Sequence, residues 1–375
     1  LKMYPSHYTY SQSGMNITLT IDKRVQDVLE RELSNAYDTY HPDGIWALAM
    51  NPKNGEILGI ASYPNFNPND YQNEDKDIYN QNIPIWKTYE PGSTFKIITF
   101  SSALNENLFD MDKDTYYDKG YEYVSGARIK SWKKGGHGLQ TFREVLQNSS
   151  NPGFVEIGRR LGKKRLYQYV QNFGLTEKTG IDLPGEASGI VKSSDTVSAI
   201  DLATISFGQT NTVTSLQLMA AFNAIANGGD LIQPHIVKEI SHEDESGNRV
   251  IDEEVKVSVK KDLLTDSSTA LIRSYLERTV TKDGPDGAFV QGYNVGGKTG
   301  TAQKVDPNTG TYSKDKYISS MIALAPIENP QITVFIAVDE PSNGAYYGGE
   351  VAAPLMKELF EEVFKYMDSP LAKER

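Results

Sequence analysis

The run Tyr89-Glu90-Pro91-Gly92-Ser93-Thr94-Phe95-Lys96-Ile97-Ile98-Thr99-Phe100 constrains this chain more than any other stretch. Pro91-Gly92 marks a loop. The apolar residues that follow, Ile97, Ile98, Phe100, Ala103 and Leu104, fall on more than one side of a helix, as in a helix buried in a core. Ser93 and Lys96 share one helical face, so Oγ and Nζ can meet one turn apart. A lysine rooted there sits in low dielectric, which favours its neutral, basic form. Neutral lysine can take the proton of a serine hydroxyl and make it a nucleophile. A helix start also offers free backbone N–H groups to a developing oxyanion. The plainer alternative is a capped core helix.

Ser-x-x-Lys alone is a weak signal, because it recurs at Ser131/Lys134, Ser258/Lys261 and Ser313/Lys316. Those three lie in polar, Gly-rich or charge-rich segments and read as solvated. Composition narrows the field further. The 375 residues suffice for one large or two ordinary domains, and 23% charged residues fit a globular protein. A net charge of −11 argues against a nucleic-acid partner, which needs a basic face. With no cysteine, disulfides and thiolate metal sites are excluded. No apolar run approaches the ~18 residues of a membrane span, and no signal peptide opens the chain.

Along the chain, residues 1–16 read as the tail of an upstream segment. Asn16–Ile21 reads as a strand. Asp22 then caps a helix to about Tyr37, with Val25, Val28, Leu29 and Leu33 as its apolar stripe. Ile45–Met50 and Ile57–Ala61 flank Asn54-Gly55, a hairpin signal. Residues 62–88 read as a long ordered loop and 105–140 as irregular. Helices are expected over Phe142–Gln147, Phe154–Leu161, Lys163–Phe173 and 200–226, the last broken near Gly208–Val213. Residues 241–262 read as an exposed charged hairpin. Strands over Gly292–Gln303, Tyr317–Ala325 and Ile332–Val338 and a helix over Val351–Met367 close the chain. Strands at both ends with helices between predict an α/β domain whose sheet is completed by the C-terminal strands.

Two further pairs of motifs stand out. Ser149-Ser150-Asn151 lies between two helices, where it is either an interhelical turn or a hydroxyl and an amide facing a cleft; Ser246-Gly247-Asn248 reads as a hairpin turn. Lys298-Thr299-Gly300-Thr301 follows two glycines on a strand that another chain could approach closely, and suits an extended substrate bearing a carboxylate. Lys178-Thr179-Gly180 reads as a surface turn. Gly292–Thr299 also fits the nucleotide-binding P-loop pattern, but Asp306-Pro307-Asn308-Thr309-Gly310 leaves no room for the helix that phosphate binding needs, so no nucleotide partner is expected. The five histidines lack His-Glu-x-x-His spacing, there is no Gly-x-Ser-x-Gly elbow, and His137 has no obvious co-ligands.

Ser93-x-x-Lys96, Ser149-x-Asn151 and Lys298-Thr299-Gly300, in that order, resemble the triple signature of penicillin-binding proteins and serine β-lactamases. Glu90–Lys96, Asn51–Leu58 and Gly297–Gln303 look like the transpeptidase domain of class B penicillin-binding proteins, over about residues 17–367. His137-Gly138 and Asn148–Phe154 are similar to the sporulation type among the division and sporulation enzymes of Gram-positive bacteria. The resemblance implies an α/β fold with a central antiparallel sheet flanked by helices and a mostly helical lobe. The α/β part would be about 17–104 and 227–367, the lobe about 105–226, and residues 368–375 a polar tail. Relatives of the sporulation type often carry cysteine at the positions of Ser131 and Ser150, where a redox pair or zinc becomes possible; serine at both removes thiolate chemistry, so no cofactor is expected.

The implied reaction is acyl transfer on peptidoglycan stem peptides ending in D-Ala-D-Ala. Ser93 would be the nucleophile and Lys96 its base. Ser149 would be the proton carrier, with Asn151 orienting Lys96 and the substrate amide. Lys298 would supply positive field, and Thr299, Gly300 and Thr301 would bind the terminal carboxylate of a stem peptide or β-lactam. The same groups would serve a D,D-carboxypeptidase or a serine β-lactamase, and from a different class the chain could be a β-lactam sensor or assembly scaffold. The resemblance further implies a membrane glycosyltransferase partner. It also implies a place outside the cytoplasmic membrane, tethered by an N-terminal segment absent from this chain.

Overall fold

The computed structural model describes residues 14–280, 287–288, 290–342 and 344–366. Five antiparallel strands form the central sheet: β1 (Gly44–Met50), β2 (Ile57–Tyr63), β3 (Gly296–Val305), β4 (Tyr312–Ala325) and β5 (Ile332–Asp339), in the spatial order β3-β4-β5-β1-β2. The period of two along β1 sorts its side chains between two cores. Ile45, Ala47 and Ala49 enter one, while Trp46, Leu48 and Met50 enter the other. Ala47 pairs with Ile336 and Leu48 with Phe335, so β5 continues the same division. The expected α/β sheet closed by C-terminal strands is therefore present, with β3 at one edge.

Helices α1 (Lys23–Tyr40) and α8 (Gly348–Phe364) cover one face. Asp22 caps α1 by accepting from Arg24 N–H at 2.9 Å, and Val25, Val28, Leu29 and Leu33 are its buried stripe, as expected. The larger core on the other face takes in α2 (Lys96–Asn105), α3 (Phe142–Gln147), α4 (Asn151–Asn172), α5 (Ala199–Ile205), α6 (Ser215–Ala226) and α7 (Asp266–Thr279). The break expected within α4 is real: Gly162 has φ 75° and ψ 157°, outside the helical region.

Four stretches differ from the sequence reading. Residues 62–88 are not a plain loop but contain a 3-10 turn (Tyr71–Asn73) and single helical turns at Lys76–Tyr79 and Ile83–Trp86. Residues 115–141 form two hairpins, Thr115–Asp118 with Gly138–Thr141 and Tyr121–Val124 with Ala127–Lys130, the second turning on Ser125 (φ 48°) and Gly126 (φ 83°). Helix α7 was not anticipated, although Thr265 caps it and Thr269, Ile272, Tyr275 and Leu276 are its buried side. Strand β4 begins at Tyr312, earlier than Tyr317, because Tyr312 still pairs with Val305. Met367 and the tail segments 1–13 and 368–375 lie outside the described residues. Among the described residues no helix is long and apolar enough to cross a membrane.

Candidate active site

Ser93 sits in a 3-10 turn, Gly92–Thr94, that runs through Phe95 into α2. Gly92 has φ 56°, and Thr94 Oγ1 donates to Pro91 O at 2.7 Å. Every residue of α2 from Lys96 to Leu104 is buried. The Lys96 side chain is thus fully enclosed (0% exposed), with Nζ 5.2 Å from the Phe154 ring centre. Nζ donates to Ser149 O at 2.8 Å, Ser149 Oγ at 3.0 Å and Asn151 Oδ1 at 2.6 Å. Burial first, then the positive charge of Lys298, hold its pKa well below the ordinary lysine value. Three acceptors suit an ammonium, so the two influences oppose; a neutral amine has only two N–H donors. The Ser149 hydroxyl is the partner that can reverse and donate to the amine.

The expected direct Ser93–Lys96 contact is replaced by a relay. Ser149 Oγ accepts from Lys96 and donates to Ser93 Oγ at 3.1 Å. Ser93 lies on the tighter 3-10 turn while Lys96 opens the α-helix, so the two are not one regular α-turn apart.

Ser149 occupies the left-handed region (φ 52°) after α3, and Ser150 caps α4 by accepting from Gly153 N–H at 3.2 Å. Ser150 Oγ also donates to Asp118 Oδ2 at 2.8 Å. Asp118, fully buried, accepts as well from Ser131 Oγ at 3.1 Å and Gly120 N–H at 2.7 Å. Trp132 Nε1 donates to Asn148 O at 2.8 Å, and its ring meets His137 edge to face at 5.4 Å. Asp118 and Trp132 were missed by sequence reasoning, since nothing local marks an aspartate whose partners lie on a hairpin and a helix cap. Ser131 and Ser150 thus converge on one carboxylate. Their hydroxyls act as hydrogen-bond donors there, and the ordinary zinc ligands beside them are Asp118 and His137, which lies in the field of Asp118. That set does not fit zinc, and among the described residues no group of three or more metal-ligating side chains occurs.

The opposite wall of the cleft is β3. Lys298 is almost fully buried (2% exposed), and its charge acts on Lys96. A Cβ on Gly300 would lie 2.6 Å from Ser320 Oγ and 3.1 Å from Thr94 Cγ2, so glycine lets β3 close against the Ser93 turn. Thr299 is buried. Thr301 Oγ1 accepts from Gly348 N–H at 2.9 Å, which leaves its own proton free to donate. Strand β3 continues to Val305, so no helix follows Lys298 and the P-loop pattern is fortuitous. Ser246 and Asn248 lie in a turn held by Asp244, and Lys178-Thr179-Gly180 in a turn held by Glu186, as their sequences indicated.

The profile of the penicillin binding protein transpeptidase domain matches residues 45–361. The chain belongs to this family. It is 48% identical over 355 residues to stage V sporulation protein D of Bacillus subtilis, covering 95% of this chain and 54% of that protein. It is 30% identical over 366 residues to the peptidoglycan D,D-transpeptidase FtsI of Escherichia coli K12, covering 96% and 58%. The crystal structure of penicillin-binding protein 3 of Mycobacterium tuberculosis with ampicillin superposes with a TM-score of 0.88 at 28% identity, covering 98% of this chain and 82% of that one. The chain therefore spans little more than half the length of the two curated relatives.

Proposed function

We propose that this domain is a peptidoglycan D,D-transpeptidase that cross-links stem peptides through a serine acyl-enzyme and is acylated by β-lactams. The observation that carries the reading is the hydrogen-bonded set Lys96–Ser149–Ser93 with Asn151, closed by β3. Ser93 Oγ attacks the penultimate D-Ala carbonyl while its proton passes to Ser149 and that of Ser149 to neutral Lys96. The backbone N–H groups of Ser93 and Thr301 receive the oxyanion. Collapse breaks the C–N bond, and the terminal D-Ala leaves with a proton returned through Ser149 in the positive field of Lys298. Asn151 orients Lys96 and the substrate amide. Thr299 and Thr301 hold the carboxylate, and Gly300 keeps β3 close enough for both. An amine of a second stem peptide then attacks the ester and frees Ser93. On this reading the side chains and backbone N–H groups of the chain carry the chemistry, without a cofactor.

The name of the Bacillus subtilis relative supports a role in sporulation and that of the Escherichia coli relative supports peptidoglycan D,D-transpeptidation, and the process proposed is spore-cortex or septal wall synthesis. On the same reading the domain works outside the cytoplasmic membrane, tethered by a segment N-terminal to it, beside a membrane glycosyltransferase. The test is intact-protein mass after incubation with benzylpenicillin. A stable gain of one penicillin on the wild type, absent from Ser93→Ala, is expected. An adduct on Ser93→Ala refutes the nucleophile. Rapid drug hydrolysis without an adduct makes the domain a β-lactamase.

A further inference from the structure

Glu90 is half-buried three residues before Ser93. Its Oε1 accepts from Thr210 N–H at 2.8 Å, and the Tyr312 hydroxyl donates to its carboxylate at 3.1 and 2.9 Å. Thr210 belongs to the loop behind the Ser93 turn, whose Gly208 carbonyl accepts from Gly92 N–H at 2.9 Å. Tyr312 opens β4 opposite Val305, the end of β3. One carboxylate therefore joins the nucleophile segment, the loop behind it and the strand pair that forms the other wall of the cleft.

The joint has little slack on one side and little regular support on the other. A Cβ on Gly208 would lie 2.0 Å from Gly92 O, and Thr210 holds φ 76° without being glycine. The β3–β4 ladder, by contrast, slips between Gln303 and Val305, just before the tie to Glu90. Regular pairing thus does not by itself fix how far the end of β3 stands from the Ser93 turn; the Glu90–Tyr312 link spans that distance.

We propose that Glu90 is a positioning residue. Held to Tyr312, it sets the separation between the Ser93 turn and the edge of β3, and so the alignment of a bound acyl group with Ser93 Oγ. The inference rests on the reading of Ser93 as nucleophile. Misalignment acts on the bond-forming step more than on binding.

The experiment measures acylation by a fluorescent penicillin over a range of concentrations, in wild type, Glu90→Gln, Tyr312→Phe and the double variant. Gln keeps an acceptor for Thr210 N–H, and Phe keeps the ring. The saturating acylation constant is expected to fall about ten-fold in Tyr312→Phe and by less in Glu90→Gln, whose neutral amide still bonds the hydroxyl more weakly, with half-saturation within about two-fold of wild type in both. The double variant is expected to be about as slow as Tyr312→Phe, because the two changes act on one link. A wild-type acylation constant in Tyr312→Phe overturns the proposal. So do losses that multiply in the double variant, or a change confined to half-saturation. Ser93→Ala separates the two readings: an adduct there refutes the nucleophile, whereas an inert Ser93→Ala with unimpaired Tyr312→Phe refutes only the role of Glu90.

Discussion

Asp118→Asn is the sharpest probe of how the Ser149–Asn151 loop is held. The carboxylate is fully buried and accepts three hydrogen bonds, at 2.7, 2.8 and 3.1 Å. Asparagine of the same shape keeps one oxygen for Gly120 N–H but presents an amide donor to the Ser131 and Ser150 hydroxyls. Both must turn to accept. Ser150 Oγ already accepts from Gly153 N–H, so it becomes crowded with donors. Hydrogen bonds to a charged group are worth about 1.5–3 kcal/mol each, and hydroxyls recover part of that by rotating, so the net cost is about 2 kcal/mol. At about 2.1 cal/mol/K of unfolding entropy per residue over 375 residues, Tm falls by roughly 2–3 °C. Ser149 is held in the left-handed region directly beside the loosened Ser150, so acylation is expected to slow about ten- to a hundred-fold. Thermal melts and stopped-flow acylation check both numbers, and Ser150→Ala completes a double-mutant cycle. A lowered Tm with wild-type acylation would show that the loop positions Ser149 without Asp118. An unchanged Tm would refute the energetic argument itself.

Three further outcomes follow from the site. Because burial and the charge of Lys298 both depress the Lys96 pKa, acylation should rise with pH through that lowered value. Neutralising Lys298 by Lys298→Met should move the inflection to higher pH, apart from any loss in rate. In stability, the unfolded chain binds more protons than the folded one between the lowered folded pKa and the unfolded value near ~10.4. Lys96 therefore makes stability rise with pH across that window, and urea titrations of Lys96→Met should show a flatter dependence. Gly300→Ala places a methyl 2.6 Å from Ser320 Oγ and 3.3 Å from Pro91 O. Overpacking of about 1–3 kcal/mol is expected, with β3 pushed from the Ser93 turn and acylation reduced while the overall fold persists.

The central sheet was legible because β1, β5 and the second half of β4 are buried on both faces and read as nearly unbroken apolar runs. The reacting residues were legible because each carries unusual chemistry in a short word. The hairpins of 115–141 were not, because Tyr117 and Tyr123 are exposed and few of their side chains reach the core, so hydrophobic period says little there. The Ser93–Ser149–Lys96 relay was not, since it joins residues more than fifty positions apart through a loop in a strained conformation. Asp118 is the extreme case. Its function is defined by whom it meets, and those partners lie on a turn, a second hairpin and a helix cap.

The place of β3 at the end of the sheet order also bears on how such a domain could change. A ligand seated along that edge is read in large part by N–H and C=O groups, and these stay the same whichever side chains occupy positions 299 and 301. Replacement of a single residue by anything but proline leaves its main-chain donor in place. Short of a proline, to lose a ligand that mimics the substrate this protein would have to shift the strand bodily, and the contacts packed against it, Thr94 and Ser320 against Gly300 and Gly348 at the start of α8, are where such drift would be felt first.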